Sequence, residues 1–208
     1  MDSALSRHDT RLVQIVDAAL SSSERRSGDW LVCKPGCTQC CIGVFAIDQL
    51  DALRLQEGLA ELETADPPRA ARVRARARKS IHRIGSEFPG DLATGLLGDD
   101  FQAAVRFEEF ANFEPCPALD PGSGTCDLYH WRPITCRVFG QPVRSDGGLG
   151  VCELCYHGVS PEEIKSCEIN LEEANALQSE LLSELEKSGT RGRTIVAFAL
   201  AAKSETGG

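Results

Sequence analysis

The chain has 208 residues, with 22 Lys and Arg against 31 Asp and Glu and a net charge of −9, a balance that disfavours binding to nucleic-acid phosphates. Residues Met1 to Thr10 are polar and lack the apolar stretch of a secretory signal, and the longest apolar run, Ile195 to Ala202, falls well short of the roughly 20 residues that span a membrane. The expected setting is the cytoplasm, with no membrane partner. Thiols stay reduced there, so ten cysteines in a chain long enough to fold without staples read as metal ligands rather than a disulfide framework.

Leu12, Ile15, Val16, Ala19 and Leu20 recur at helical spacing and predict an amphipathic helix over 9–21, ended by Ser27 and Gly28. Cys33, Cys37, Cys40 and Cys41 follow, with Pro35 and Gly36 marking a turn. Val44, Phe45 and Ile47 suggest a short strand. Asp48 then suits the N-cap of a helix with an apolar stripe of Ala52, Leu55, Leu59 and Leu62. Asp66-Pro67 starts another helix, striped by Ala70, Val73, Ala77, Ile81 and Ile84. After a glycine-rich stretch, a short helix is expected over 101–113.

The chain then becomes irregular and carries the six remaining cysteines. Asp146-Gly147-Gly148 suggests a hairpin turn between strands over 138–143 and 149–151. Ser160 with Glu163, and Asn170 with Glu173, read as helix caps, while 194–202 fits either a buried strand or an Ala-rich helix. The expected fold class is mainly α with an irregular cysteine-rich metal-binding centre and a short β-hairpin. One domain is expected over 1–208, with a metal-binding core over 33–167 and flanking helices over 9–21 and 170–188.

Thiolates are soft donors that suit zinc and iron–sulfur centres. Cys33, Cys37 and Cys40 could converge on one ion from a turn. Cys41 is adjacent to Cys40, and neighbouring side chains point apart in extended backbone, so this pair suits two neighbouring metals or a multinuclear centre. Cys152-x2-Cys155 is a second chelating pair. Cys116, Cys126 and Cys136 are separated by nine residues each, so only the fold can bring them in, and Cys167 completes the candidate set. The C-x3-C-x2-C spacing also matches the cluster-binding triad of radical S-adenosylmethionine enzymes. That family requires a repeating βα barrel, and this chain lacks the alternation.

Two segments together resemble the YkgJ-type cysteine-cluster family of zinc- or iron-chelating proteins. The first is Cys33-Lys34-Pro35-Gly36-Cys37-Thr38-Gln39-Cys40-Cys41. The second runs through Pro115-Cys116-Pro117-Ala118-Leu119, Gly124-Thr125-Cys126-Asp127-Leu128-Tyr129 and Arg132-Pro133-Ile134-Thr135-Cys136-Arg137. The resemblance implies that Cys33, Cys37, Cys40, Cys41, Cys116, Cys126 and Cys136 are cluster cysteines. One branch of that family is similar to protein lysine methylases, although no separate catalytic domain is visible here.

Other features have ordinary readings beside them. His130 and His157 lie near cysteines, where a surface role is the commoner one. Arg72, Arg76, Lys79 and Arg83 fall on one helix face and suit an acidic protein partner; a solvated face opposite the apolar stripe is the simpler reading, and the acidic stretch 162–186 could be an internal partner. Arg132 and Arg137 bracket Cys136 and suit a supporting role beside thiolates, while Tyr129 and Trp131 read as packing residues. Gly147-Gly148-Leu149-Gly150 is too short for a nucleotide loop. No serine or cysteine triad is visible, so a classical hydrolase or nucleotide-dependent enzyme is not expected. The leading expectation is a cytoplasmic protein holding zinc or iron through clustered thiolates. The alternatives are an iron–sulfur protein with protein-lysine methyltransferase-like activity, and a zinc-scaffolded interaction module working through the basic helix.

Overall fold

A computed structural model describes residues 3–34, 36–145 and 148–202. In chain order the elements are α1 (Ser3–Ser27), β1 (Ala46–Asp48), α2 (Gln49–Ala65), α3 (Pro67–Ile84), β2 (Gly90–Asp91), β3 (Leu96–Leu97), α4 (Phe101–Glu109), β4 (Leu119–Asp120), β5 (Thr125–Cys126), α5 (Ile134–Val138), β6 (Val143–Ser145), β7 (Gly148–Gly150), α6 (Pro161–Ser166), α7 (Glu172–Lys187), β8 (Arg193–Ile195) and α8 (Val196–Ala201). The fold is mainly α, and every strand among the described residues belongs to an antiparallel pair. The chain forms two compact units, each assembled from separated segments: Met1–Pro35 with Ile134–Glu184, and Gly36–Pro133 with Leu185–Gly208.

The second unit holds the larger core. Asp48 caps α2 by accepting from Asp51 N at 2.8 Å, and Asp66 caps α3 by accepting from Arg69 N at 3.0 Å, with Pro67 at the first helical position. Both caps satisfy backbone donors that have no partner within their helix. The buried stripe of α2 (Ala52, Leu55, Leu59) meets that of α3 (Ala70, Val73, Ala77), and α8 closes the core with Val196, Ala199 and Leu200. The stretch 194–202 is both things that its sequence allows. Arg193–Ile195 pairs with Ala46–Asp48, with Ile47 opposite Thr194, and the helix follows immediately.

Helix α2 has no side chain at Gly58, where Trp131 lies instead; a Cβ there would stand 2.2 Å from the indole Cγ. Trp131 is thereby half-buried against the helical core, as a packing residue should be. Helix α4 ends four residues earlier than the expected 113. Ala111 takes φ +52, and its carbonyl accepts from Val44 N at 3.2 Å.

In the first unit α1 runs past both ends of the expected 9–21. Leu5, Asp9, Leu12, Val16, Leu20, Ser23 and Ser27 keep one face buried over its whole length. Gly28, at φ +51, ends it in the left-handed conformation that glycine tolerates. The strand expected over 138–143 is not formed. Ile134, Arg137 and Val138 are buried at helical spacing and make the short helix α5, and β6 begins only at Val143. The hairpin itself is present as β6 paired with β7; Asp146 and Gly147 of its turn lie outside the described residues. Ser160 and Glu163 form a full capping box on α6, and Asn170 Oδ1 accepts from Glu172 N at 2.9 Å at the start of α7.

Gly58→Ala is expected to destabilise the protein by about 1–3 kcal/mol, even though alanine is ordinarily favoured over glycine inside a helix by up to ~1 kcal/mol. Urea unfolding measures this; an unchanged or higher midpoint would mean that the indole moves aside freely.

Candidate metal centre

Within the second unit, two cysteine-bearing segments are clipped together by backbone bonds. Gln39–Cys41 forms one 3₁₀ turn, in which Cys41 N donates to the Thr38 carbonyl at 2.8 Å. The Cys41 carbonyl accepts from Cys116 N at 2.7 Å, Ile42 bridges Pro115, and Gly43 N donates to the Glu114 carbonyl at 2.9 Å. Gly43 holds φ +95, and a Cβ there would approach the Asn112 carbonyl to 3.1 Å, so this close approach requires glycine. Strands β4 and β5 then fold back, with Cys126 opposite Leu119, and Leu119 N returns to the Cys116 carbonyl at 3.0 Å. Cys40, Cys41, Cys116 and Cys126 come from sequence positions up to 86 apart, yet they share one neighbourhood.

Helix α3 holds this neighbourhood in place. Asp127, directly after Cys126, is buried and accepts from Arg69 Nε and Arg76 Nη2, both at 2.5 Å. Arg76 Nε also donates to the Pro117 carbonyl at 2.8 Å, and Arg83 pairs with Glu114. Of the four basic residues expected on one face, Arg76 and Arg83 therefore serve the cysteine segment, while Arg72 and Lys79 are exposed. The carboxylates taken by Arg69, Arg74, Arg76 and Arg83 are Asp127, Glu63 and Glu114, rather than the acids of 162–186.

The sulfurs feel one another. The hydrogen bond with Cys41 raises the Cys40 thiol, burial and the charge of Cys41 raise it further, and Arg132 opposes them. Burial pushes the Cys116 thiol up to about 12, and the charges of Cys126 and Cys40 add to it. Burial also raises Cys126, against the pull of Arg132. Arg132, whose guanidinium carbon lies 3.8 Å from the Tyr129 ring centroid, is thus the cation that both Cys40 and Cys126 sense. Without a cation these sites favour neutral thiols, because burial disfavours uncompensated charge.

The first unit carries Cys33, Cys136, Cys152, Cys155 and Cys167. Cys33 is exposed beside Gly140, where a Cβ would come within 3.4 Å of its sulfur. Cys136 lies on α5. Cys152 and Cys155 are joined by a turn, with Cys155 N donating to the Cys152 carbonyl at 2.9 Å. They pack with Cys167, Tyr156 and Leu31 in one buried cluster. Tyr156, which the sequence did not single out, sits at φ +59 and shares a 2.6 Å hydrogen bond with Ser27, anchoring that cluster to α1. Arg137 is buried and donates to Asp17 at 3.1 Å, so its described partner is on α1.

The run of four cysteines is thus divided, with Cys33 in the first unit and Cys37, Cys40 and Cys41 in the second. His130 and His157 are exposed, as are His8 and His82. Among the described residues, no three Cys, His, Asp or Glu side chains stand together as a ready-made metal-holding group. The donor chemistry nevertheless fits zinc or iron. The thiols are soft and desolvated, and they neighbour one another across separate segments, so a cation would offset the burial that keeps them protonated.

Asp127→Asn is expected to lower stability by about 2 kcal/mol, since it leaves Arg69 and Arg76 without their shared carboxylate. It should also speed alkylation of Cys116 and Cys126 in the metal-free protein. Unfolding midpoints and peptide mass spectrometry test both; wild-type rates at the two cysteines would refute the clamp. In the same metal-free, reduced protein, iodoacetamide should label exposed Cys33 first and fully buried Cys167 last. Early labelling of Cys167 would instead show that the 152–167 cluster opens readily.

A family model labelled CxxCxxCC and described as "Putative zinc- or iron-chelating domain" matches residues 32–155. The match covers nine of the ten cysteines and leaves out Cys167. No curated protein and no solved structure matches the chain. Because the match takes in more than half of the sequence, and because both cysteine segments that the fold clips together lie inside it, the chain belongs to the CxxCxxCC family of zinc- or iron-chelating domains.

Proposed function

We propose that this protein holds zinc or iron in the cytoplasm in a structural, storage or regulatory capacity, with two donor sets, one in each compact unit. Cys40, Cys41, Cys116 and Cys126, with Cys37 beside them in the chain, form the set of the second unit. Cys33, Cys136, Cys152, Cys155 and Cys167 form that of the first. The observation that carries this reading is the backbone clip between the two cysteine segments of the second unit, in which Cys116 N donates to the Cys41 carbonyl at 2.7 Å and Cys126 lies opposite Leu119 on the next strand.

A bound ion would supply the positive charge that keeps the thiolates ionised inside the protein. The chain's own residues do the remaining work. Asp127, Arg69 and Arg76 fix the segment that carries Cys116 and Cys126, Arg132 lowers the cost of the negative charge at Cys40 and Cys126, and Ser27 holds Tyr156 against the Cys152–Cys167 cluster. The reading of α3 as the docking face for an acidic protein now rests on Arg72 and Lys79, since Arg76 and Arg83 are engaged.

Protein purified without oxygen should carry about two metal equivalents, since zinc takes about four thiolates each. Elemental analysis measures the content, and the absorption spectrum separates colourless zinc from a brown iron–sulfur centre. Cys116→Ser with Cys126→Ser should remove about one equivalent, as should Cys152→Ser with Cys155→Ser. A single shared site would instead lose all its metal in either pair, and fully folded wild-type protein without metal would reject the proposal altogether. Chelation should lower the melting temperature by on the order of 5 °C.

A further inference from the structure

Helix α4 is apolar on two sides. Ala103 is buried, and Phe107 packs with Phe110 against Ile84, Phe88, Ile195 and Ala197, which secures the inner side. At 3.6 residues per turn, Phe101, Ala104, Val105 and Glu108 lie opposite. Phe101 is 81% exposed, Val105 46%, and Phe113, in the turn that follows the helix, 91%. Core packing accounts for none of these three side chains. An isolated exposed apolar residue is ordinary, but two almost bare phenylalanines and a valine on one helix and its adjoining turn are not.

The charge around them identifies what would cover them. Asp99 and Asp100 precede the helix and Glu108 and Glu109 end it, all four exposed, against Arg106 as the one cation within 99–114. Asp100 also caps the helix, accepting from Ala103 N at 2.9 Å. A second copy of this chain would bring the same four carboxylates to the contact, and like charges facing each other oppose pairing. The C-terminal stretch Lys203-Ser204-Glu205-Thr206-Gly207-Gly208 has no apolar side chain to offer.

We propose that the outer face of α4, with Phe113, docks a basic amphipathic helix of a partner protein. Apolar residues of the partner at i and i+3 or i+4 would cover Phe101 and Val105, and flanking Lys or Arg would meet Asp99, Glu108 and Glu109. This surface uses no cysteine and does not depend on the metal proposal.

The test is fluorescence anisotropy of the full-length protein as purified with a labelled 15-residue Leu/Lys helical peptide, and with a Leu/Glu peptide of the same apolar spacing as the control. The Leu/Lys peptide should bind saturably, and more weakly as salt rises. Phe101→Ser with Phe113→Ser, which leaves the charge unchanged, should weaken binding at least 10-fold at unaltered circular dichroism and metal content. Glu108→Gln with Glu109→Gln should weaken it several-fold. The proposal is overturned if the phenylalanine variant binds like wild type, meaning that charge alone attracts the peptide, or if the Leu/Glu peptide binds equally well. Absence of saturable binding would also overturn it, as would a wild-type dimer that the phenylalanine variant abolishes in sedimentation velocity, since the occupant would then be a second copy.

Discussion

One buried carboxylate organises the cysteine-bearing part of the second unit. Asp127 is shared by Arg69 and Arg76, two turns apart on α3, and Arg76 also reaches the Pro117 carbonyl. The segment they hold is irregular, with strands of two residues each, and such strands have little stability of their own. Charge-assisted hydrogen bonds to a well-packed helix supply the order instead. Because Asp127 follows Cys126 directly and Pro117 follows Cys116, anchoring these two points anchors both sulfurs. The basic face of α3 is therefore part of the architecture around the thiols.

The thiols themselves are held in an unfavourable setting for charge. Burial raises Cys116 and Cys126, and Cys41 raises Cys40 through a hydrogen bond. Arg132 is a cation close enough to oppose that rise at Cys40 and Cys126, and a bound cation would oppose it further. Chelation of zinc or iron, the property by which the family is described, would supply such a cation. In the first unit, Cys152, Cys155 and Cys167 are instead embedded among Tyr156, Leu31, Val159 and Ile164, so packing does more of the ordering there.

Much of this was legible in the residues. Local signals gave reliable results: Asp48, Asp66 and Ser160 cap helices, and the stripes of α2 and α3 are buried, because a cap or an amphipathic face depends on neighbours within one or two turns. The misreadings lie where distant contacts intervene. The extended reading of 138–143 missed the short helix over 134–138, whose buried Arg137 pairs with Asp17 on α1, far away in sequence. Helix α4 stops short of 113 because Phe110 turns extended and Ala111 takes φ +52, and the Ala111 carbonyl then accepts from Val44, far away in sequence. The fold also brings Asp127 and Glu114 to Arg69, Arg76 and Arg83, which leaves Arg72 and Lys79 of the basic run exposed.

The sequence by itself determined that this is a mainly helical, thiol-rich member of a metal-chelating family, since ligand type and short spacing are written in the order of residues. Only the tertiary structure decided which cysteines are neighbours. It set Cys40 and Cys41 beside Cys116 and Cys126, and it gave Cys33 and Cys136 to the other unit. The physical reason is that ion pairs, carbonyl acceptors and the notch at Gly58 act through space, and no spacing along the chain encodes which partner a folded backbone will present.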